Sequence, residues 1–254
     1  MRILPTLGKI AFTLFAIALV VGVIAAFGTR LGVWDYHIGL FGIYPWSVYA
    51  TVGAVAAGLT WATFALATRD GTGARYGATA LAGGILLLAP PLYYLIVAPT
   101  LPPIHDISSD IVHPPQFVKL LSLREGAENP ETYDGPQIVD FAGKRRTVSA
   151  LQRRYYGDIH SIGVLVAPKR LFWRALRAAN GMGWHIVDFN PDEGRIEATD
   201  TSFFFGFTDD IVIRIKPSGE GGRLDIRSKS REGTTDVGEN AARIRSYVKL
   251  LANS

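Results

Sequence analysis

Four side chains able to bind a metal or move a proton, His105, Asp106, Asp110 and His113, fall within nine positions. Imidazole nitrogen and carboxylate oxygen suit zinc or a similar divalent cation, so this segment is the candidate metal set. Its spacing matches no standard zinc motif, and HExxH is absent. In extended chain His105 and Asp106 project to opposite sides, so the four converge only through a turn. The plainer reading is that they hydrogen-bond a connector onto a domain. A second set alternates along one strand-like run: Arg223, Asp225, Arg227, Lys229 and Arg231 share a face, while Leu224 and Ile226 turn toward a core. Ser228 and Ser230 share the inward parity. A row of cations can hold a phosphate, a lipid headgroup or an acidic glycan through charge-assisted bonds. The plainer reading is a solvated face with cross-strand ion pairs, for which Asp209 and Asp210 supply partners. The candidate ligand-binding residues are therefore Arg223, Arg227, Lys229, Arg231, Asp209 and Asp210.

Other chemistry is narrowed by what the chain lacks. It has no cysteine, hence no thiol nucleophile, thiolate metal ligand, disulfide or lipid-attachment cysteine. GxSxG, the phosphate-binding GxxxxGK[ST] and GxGxxG in strand–helix context are missing. A triad of side chains that meet only in space stays open. Of the 26 Lys and Arg, 21 follow residue 100, against 20 of the 22 acids. That near-neutral half argues against nucleic acid as a partner.

The elements that must position these residues change character near residue 100. Leu7 to Phe27, Gly39 to Ala67 and Tyr76 to Ala98 hold one charge between them, Lys9. Each is long enough to cross a bilayer as a helix. The first has the basic start of a signal peptide, but its core is long and Ala25-Ala26-Phe27-Gly28 is a poor cleavage site. Tyr44, Trp46, Tyr49, Tyr93 and Tyr94 fit interfacial belts. Gly53, Ala54, Ala57 and Gly58 on the second span, and Ala80, Gly83 and Gly84 on the third, form faces for close helix packing. Arg2, Lys9, Arg69 and Arg75 flank one side and Arg30 the other. The positive-inside rule then keeps the N-terminus cytoplasmic and puts the C-terminal domain across the membrane, in a bacterium the periplasm. Pro90-Pro91 is expected to break or kink the third helix. The proline-rich stretch Pro99 to Pro115 reads as an extended connector.

Residues 1–100 thus form a membrane region and 101–254 a soluble domain. Short helical pieces are expected at Val118 to Leu123 and Val148 to Arg154, and a longer one at Pro168 to Gly181, where Leu171, Phe172, Ala175, Leu176 and Ala179 keep helical spacing. Strands are expected at Ile162 to Val166, Trp184 to Phe189, Arg195 to Thr201 and Arg223 to Arg231. Phe203 to Phe207 and Ile211 to Ile215 are strand-like with a turn or bulge between them. The Phe203–Phe207 run is expected to supply core rings plus one facing membrane or ligand, and Trp173 and Trp184 core or seam positions. Asp236-Val237-Gly238-Glu239 resembles a capping box before a final helix carrying Ala241, Ile244, Val248 and Leu251. The fold class is α+β: three N-terminal transmembrane helices, then a mainly antiparallel sheet of about four strands flanked by helices.

Several ordered segments resemble the domain of unknown function 1499 family. They are Pro102 to Asp110 with Pro114 to Phe117, Asn129-Pro130 with Tyr133 and Gly135, and Gly183-Trp184. Further on come Arg195 to Thr201 with Phe205 to Asp210, Asp225 to Arg231, and Asn240 to Arg245. The resemblance covers about Leu101 to Leu251, with Ser109 where threonine is commoner and Gly157 where proline is commoner. It implies a bacterial envelope or membrane setting and transfers no catalytic residue. The leading expectation is a non-catalytic inner-membrane protein whose domain binds a lipid, an anionic envelope component or a protein. The alternative is a metal-assisted hydrolase at the membrane surface using the His105–His113 segment; a divalent metal is the cofactor it would take. A structural assembly subunit is a third reading.

Overall fold

The computed structural model describes residues 3–253; Arg2, used in the charge argument, lies outside them. Two compact units result, residues 1–98 with 202–206, and residues 99–201 with 207–254.

In the first unit, α1 (Ile3–Arg30), α2 (Tyr44–Thr68) and α3 (Ala74–Val97) pack on one another. A π-helical turn, His37–Ile43, leads into α2. Among the described residues, three helical stretches are long and apolar enough to cross a membrane, of 27, 32 and 27 residues. Small residues make the seams. A Cβ on Gly77 would lie 2.4 Å from the Trp61 indole, and one on Gly84 would lie 2.7 Å from Val55. Ala18, Ala54 and Ala80 are fully buried, and the Ser47 hydroxyl donates to the Ala18 carbonyl at 2.7 Å. Of the expected break or kink at Pro90-Pro91, the break does not occur, since α3 runs on to Val97. Transmembrane helices tolerate proline because neighbouring groups can satisfy the freed carbonyls.

The second unit is a six-stranded sheet with helices. Its long strands are β5 (His185–Asn190), β6 (Arg195–Thr201), β7 (Thr208–Ser218) and β8 (Gly221–Ser230), joined antiparallel in sequence order. Two short strands share the outer edge of β8. β1 (Asp106–Ser108) pairs with Arg227 to Lys229, and β4 (Ile162–Val164) pairs with Gly222 to Leu224. Thus part of the expected connector is strand. A separate hairpin, β2 (Ile138–Phe141) and β3 (Lys144–Thr147), turns at Ala142-Gly143, both at positive φ. The expected strand at Phe203 to Phe207 is absent; the chain turns there, and β7 begins at Thr208.

Alternation decides what each sheet face buries. Ile211, Ile213 and Ile215 of β7, with Leu224 and Ile226 of β8, face α5 (Pro168–Gly181) and α6 (Glu239–Ala252). Leu171, Phe172, Ala175, Ile244 and Tyr247 complete this core, with Trp184 stacked on Tyr247 at 5.2 Å. Trp173 instead is exposed, against the expectation of a core or seam position. The amphipathic helix α4 (Val148–Tyr155) adds Val148 and Leu151 to the core. The N-cap of α6 is Gly238, so the expected capping box is not formed; Asp236, two residues earlier, accepts from the backbone N–H groups of Gly238 and Asn240 at 2.8 Å each. Burial pushes its carboxyl up to about 6.

Candidate functional site

The opposite face of the sheet carries the charged residues, and it too is covered. A short 3₁₀ turn, Leu120–Arg124, lies in the irregular chain that spans it. Phe117 and Leu120 bury against Val212, the one apolar β7 residue in mid-strand on this side. Glu197 of β6 fixes the turn's N-terminus. Its carboxylate, fully buried, accepts from the backbone N–H groups of Val118, Lys119 and Leu120 at 2.7–2.8 Å, and from Arg195 at 2.9 Å. A carboxylate there also complements the partial positive charge of exposed N–H groups.

Each cation of β8, and Arg231 just beyond it, meets a fixed carboxylate. Arg227, fully buried, forms a bidentate pair with Asp106 of β1 at 2.8 and 2.9 Å, and its guanidinium lies 4.7 Å from the Phe117 ring centroid. Lys229, also fully buried, donates to Asp134 at 2.7 Å and sits 3.5 Å from Asp106. Arg231 forms a bidentate pair with Asp210, which Arg124 engages from the covering turn at 2.6 Å. Arg223 pairs with Asp225 and Asp110, and Arg214 with the same two carboxylates. Asp209, of opposite parity, turns instead to the helical side, where it receives Arg243 of α6 at 2.6 Å. The face is thus a layer of ion pairs, fully buried at Asp106, Arg227 and Lys229 and open to water toward Arg223, rather than a wetted row of free cations. Charges buried so completely are sustained only where they are paired.

The four metal candidates are dispersed, with only Asp106 and Asp110 in this layer. Asp106 is bound to Arg227. Asp110 accepts from the backbone of Val112 and His113 at 3.1 and 2.8 Å and meets Arg214 and Arg223. Burial works against its charge, but those N–H groups and guanidinia hold its pKa below the usual carboxylate range. The His113 side chain is exposed. Among the described residues no group of three or more His, Asp or Glu is placed to hold a metal ion.

His105 goes elsewhere. Its Nε2 lies 2.9 Å from Asp134 Oδ2, and the pair lies at a cleft of about 390 Å³. Asn129, Gln137, Asp140 and Thr234 supply the other polar walls; Ile104, Val139 and Val148 supply apolar ones. Asp134 also accepts from Gln137 at 2.7 Å, and its backbone N–H donates to Asp106 at 3.0 Å. Burial disfavours charge on His105, but Asp134 and the Thr234 backbone outweigh it, and the imidazole pKa is raised. Burial likewise opposes ionisation of Asp134, yet His105 and Lys229 bring its pKa below the ordinary value. The result is an oriented imidazole–carboxylate pair, backed by Lys229, Asp106 and Arg227.

The segments that assemble this layer are those in which the resemblance lay. A family model described as "Protein of unknown function (DUF1499)" matches residues 106–251, more than half of the chain. The chain belongs to the DUF1499 family. No curated protein matches it. In this family member Asp106, Glu197, Asp210, Arg227, Lys229 and Arg231 all build the buried layer. Sequence reasoning missed Asp134, Arg124 and Glu197 as partners. Asp134 sits in Asp134-Gly135-Pro136, whose turn signal overshadowed its charge.

Proposed function

We propose that this chain is a multi-pass protein of a bacterial inner membrane, with its N-terminus in the cytoplasm and its DUF1499 domain in the periplasm. The excess of Lys9, Arg69 and Arg75 over Arg30 in the short flanking segments supports that sidedness. The domain is a non-catalytic binding module, and its seat is the cleft at His105 and Asp134. The observation that carries this reading is the pairing of the cations on and just after β8. Arg227, Lys229 and Arg231 are engaged by internal carboxylates, whereas the cleft opens polar groups and an apolar wall to a ligand. Its volume lies near the lower end of the range for small-molecule pockets, roughly 300–1,000 Å³. Of the expected classes, a lipid or envelope component fits best through hydroxyl or amine groups. Asp134 and Asp140 give the cleft two carboxylates, which disfavour a purely anionic ligand.

Native mass spectrometry of the full chain in mild detergent tests this reading. The expected result is a retained small molecule that is lost when Val139→Trp fills the cleft. Retention unchanged in Val139→Trp and His105→Gln would place the ligand elsewhere and sink the cleft as the seat.

A further inference from the structure

The first unit contains a piece of chain distant in sequence from its helices, residues 202–206. Within that unit the piece is held by α1. Arg30 donates from Nη1 to the carbonyls of Ser202 at 2.5 Å and Phe203 at 3.0 Å. Its guanidinium lies 5.8 Å from the Phe203 ring. Phe27 meets Phe203 and Phe204 edge-on at 5.8 and 6.5 Å, and Tyr44, at the start of α2, meets Phe205 at 5.8 Å. Gly206 adopts φ +75°, and a Cβ there would come 3.1 Å from the Arg30 backbone.

Despite these contacts Phe203 and Phe204 are 67% and 60% exposed. Two adjacent phenyl rings this open to water are unfavourable, because burying apolar surface is the larger gain. They join a set. Trp46 and Tyr49 near the start of α2 and Tyr93 and Tyr94 near the end of α3 are also exposed. Three sequential spans put the end of α1, the start of α2 and the end of α3 on one side of a bilayer, where an aromatic belt belongs. The carbonyls satisfied by Arg30 are what backbone near hydrocarbon requires. We propose that Phe203 and Phe204 are an interfacial anchor, with their rings in the headgroup–acyl boundary of the lipid leaflet at the Arg30 end of α1. This rests on the membrane-spanning reading of α1–α3 and is independent of the cleft.

The absence of cysteine makes the test direct. Single variants Phe203→Cys, Phe204→Cys, Val23→Cys and Ser218→Cys of the full chain are labelled with a nitroxide. They are placed in nanodiscs of phosphatidylcholine and phosphatidylglycerol. Val23 is an exposed side chain of α1 and marks hydrocarbon; Ser218 is exposed at the far end of β7 and marks water. Labels at 203 and 204 are expected to favour oxygen over a water-soluble nickel chelate several-fold relative to Ser218, approaching Val23. Labels at both positions as open to nickel as Ser218, beside a shielded Val23, would overturn the anchor. A Val23 label open to nickel would overturn it too, by removing the membrane itself.

Discussion

The two faces of the sheet are both buried and are buried in opposite ways. Toward α5 and α6, Ile211, Ile213, Leu224 and Ile226 meet apolar side chains, an arrangement that tolerates exchange of one hydrocarbon for another of similar size. Toward the covering chain, Asp106, Glu197, Asp210, Arg227 and Lys229 exclude water by pairing. Such pairs add little net stability over hydrocarbon but penalise any geometry in which one partner is missing. Irregular backbone such as 109–134 offers no repeating apolar stripe with which to bind a sheet. It is held by carboxylates and guanidinia that reach its N–H and C=O groups: Glu197 to three N–H groups, and Arg227 to the carbonyls of Pro115, Glu131 and Thr132.

The sharpest way to break the contrast is to remove one charge from the ionic face. Arg227→Met is expected to destabilise the domain by about 3–5 kcal/mol by stranding Asp106. Adding Asp106→Leu should recover much of that loss. Hydrogen exchange of β8 amides reads both; no recovery in the double variant would mean that the pair adds stability hydrocarbon cannot replace. On the helical face, Ile226→Ala should cost about 2–4 kcal/mol by opening a cavity, and Ile226→Val only about 1 kcal/mol. This graded response is what a stranded charge would not give, and the same exchange measurement checks it.

A third prediction uses pH and concerns His105 and Asp134 beside the ionic face. The raised His105 pKa gives stability that is complete below its ordinary value of 6.5 and lost as pH rises through the folded value. The lowered Asp134 pKa gives stability present above 3.8 and lost as pH falls through its folded value. The pair should therefore contribute most between about pH 4 and 6.5. His105→Gln should flatten the alkaline limb in a thermal-unfolding series, and an unchanged limb would remove His105 from the account. The smallest effect is expected at Arg245, whose pair with Asp158 is exposed on both sides. Arg245→Ala should shift unfolding by less than about 1 kcal/mol, a loss that salt masks further.

What the sequence made legible follows the same division. α5 matches its expected bounds, Pro168–Gly181, because apolar spacing, an N-terminal proline and a following turn agree. β6 matches as Arg195–Thr201, and the parity of β8 was readable from Leu224 and Ile226. The environment of its other face was not. Burial there depends on Asp106 and Asp134, about 120 and 95 residues upstream, and on chain with no periodicity of its own. The same gap hid β1, whose polar residues are strand only because β8 supplies their partners. At Phe203 to Phe207, aromatic β-propensity argued for a strand, but Arg30 holds the turn that is found there instead.

The placement of β1 on β8 has a consequence for assembly in time. Asp106 emerges soon after the third apolar helix, but its partners Arg227 and Lys229 come near the end of the chain. No early segment can close the ionic layer, so until the last strand arrives these carboxylates stay hydrated and the covering chain stays loose. Contacts this distant in sequence slow folding, because loop closure precedes any gain. The domain therefore completes itself in one late step, and a chain truncated before β8 would lack the whole polar half of its interior rather than a single edge.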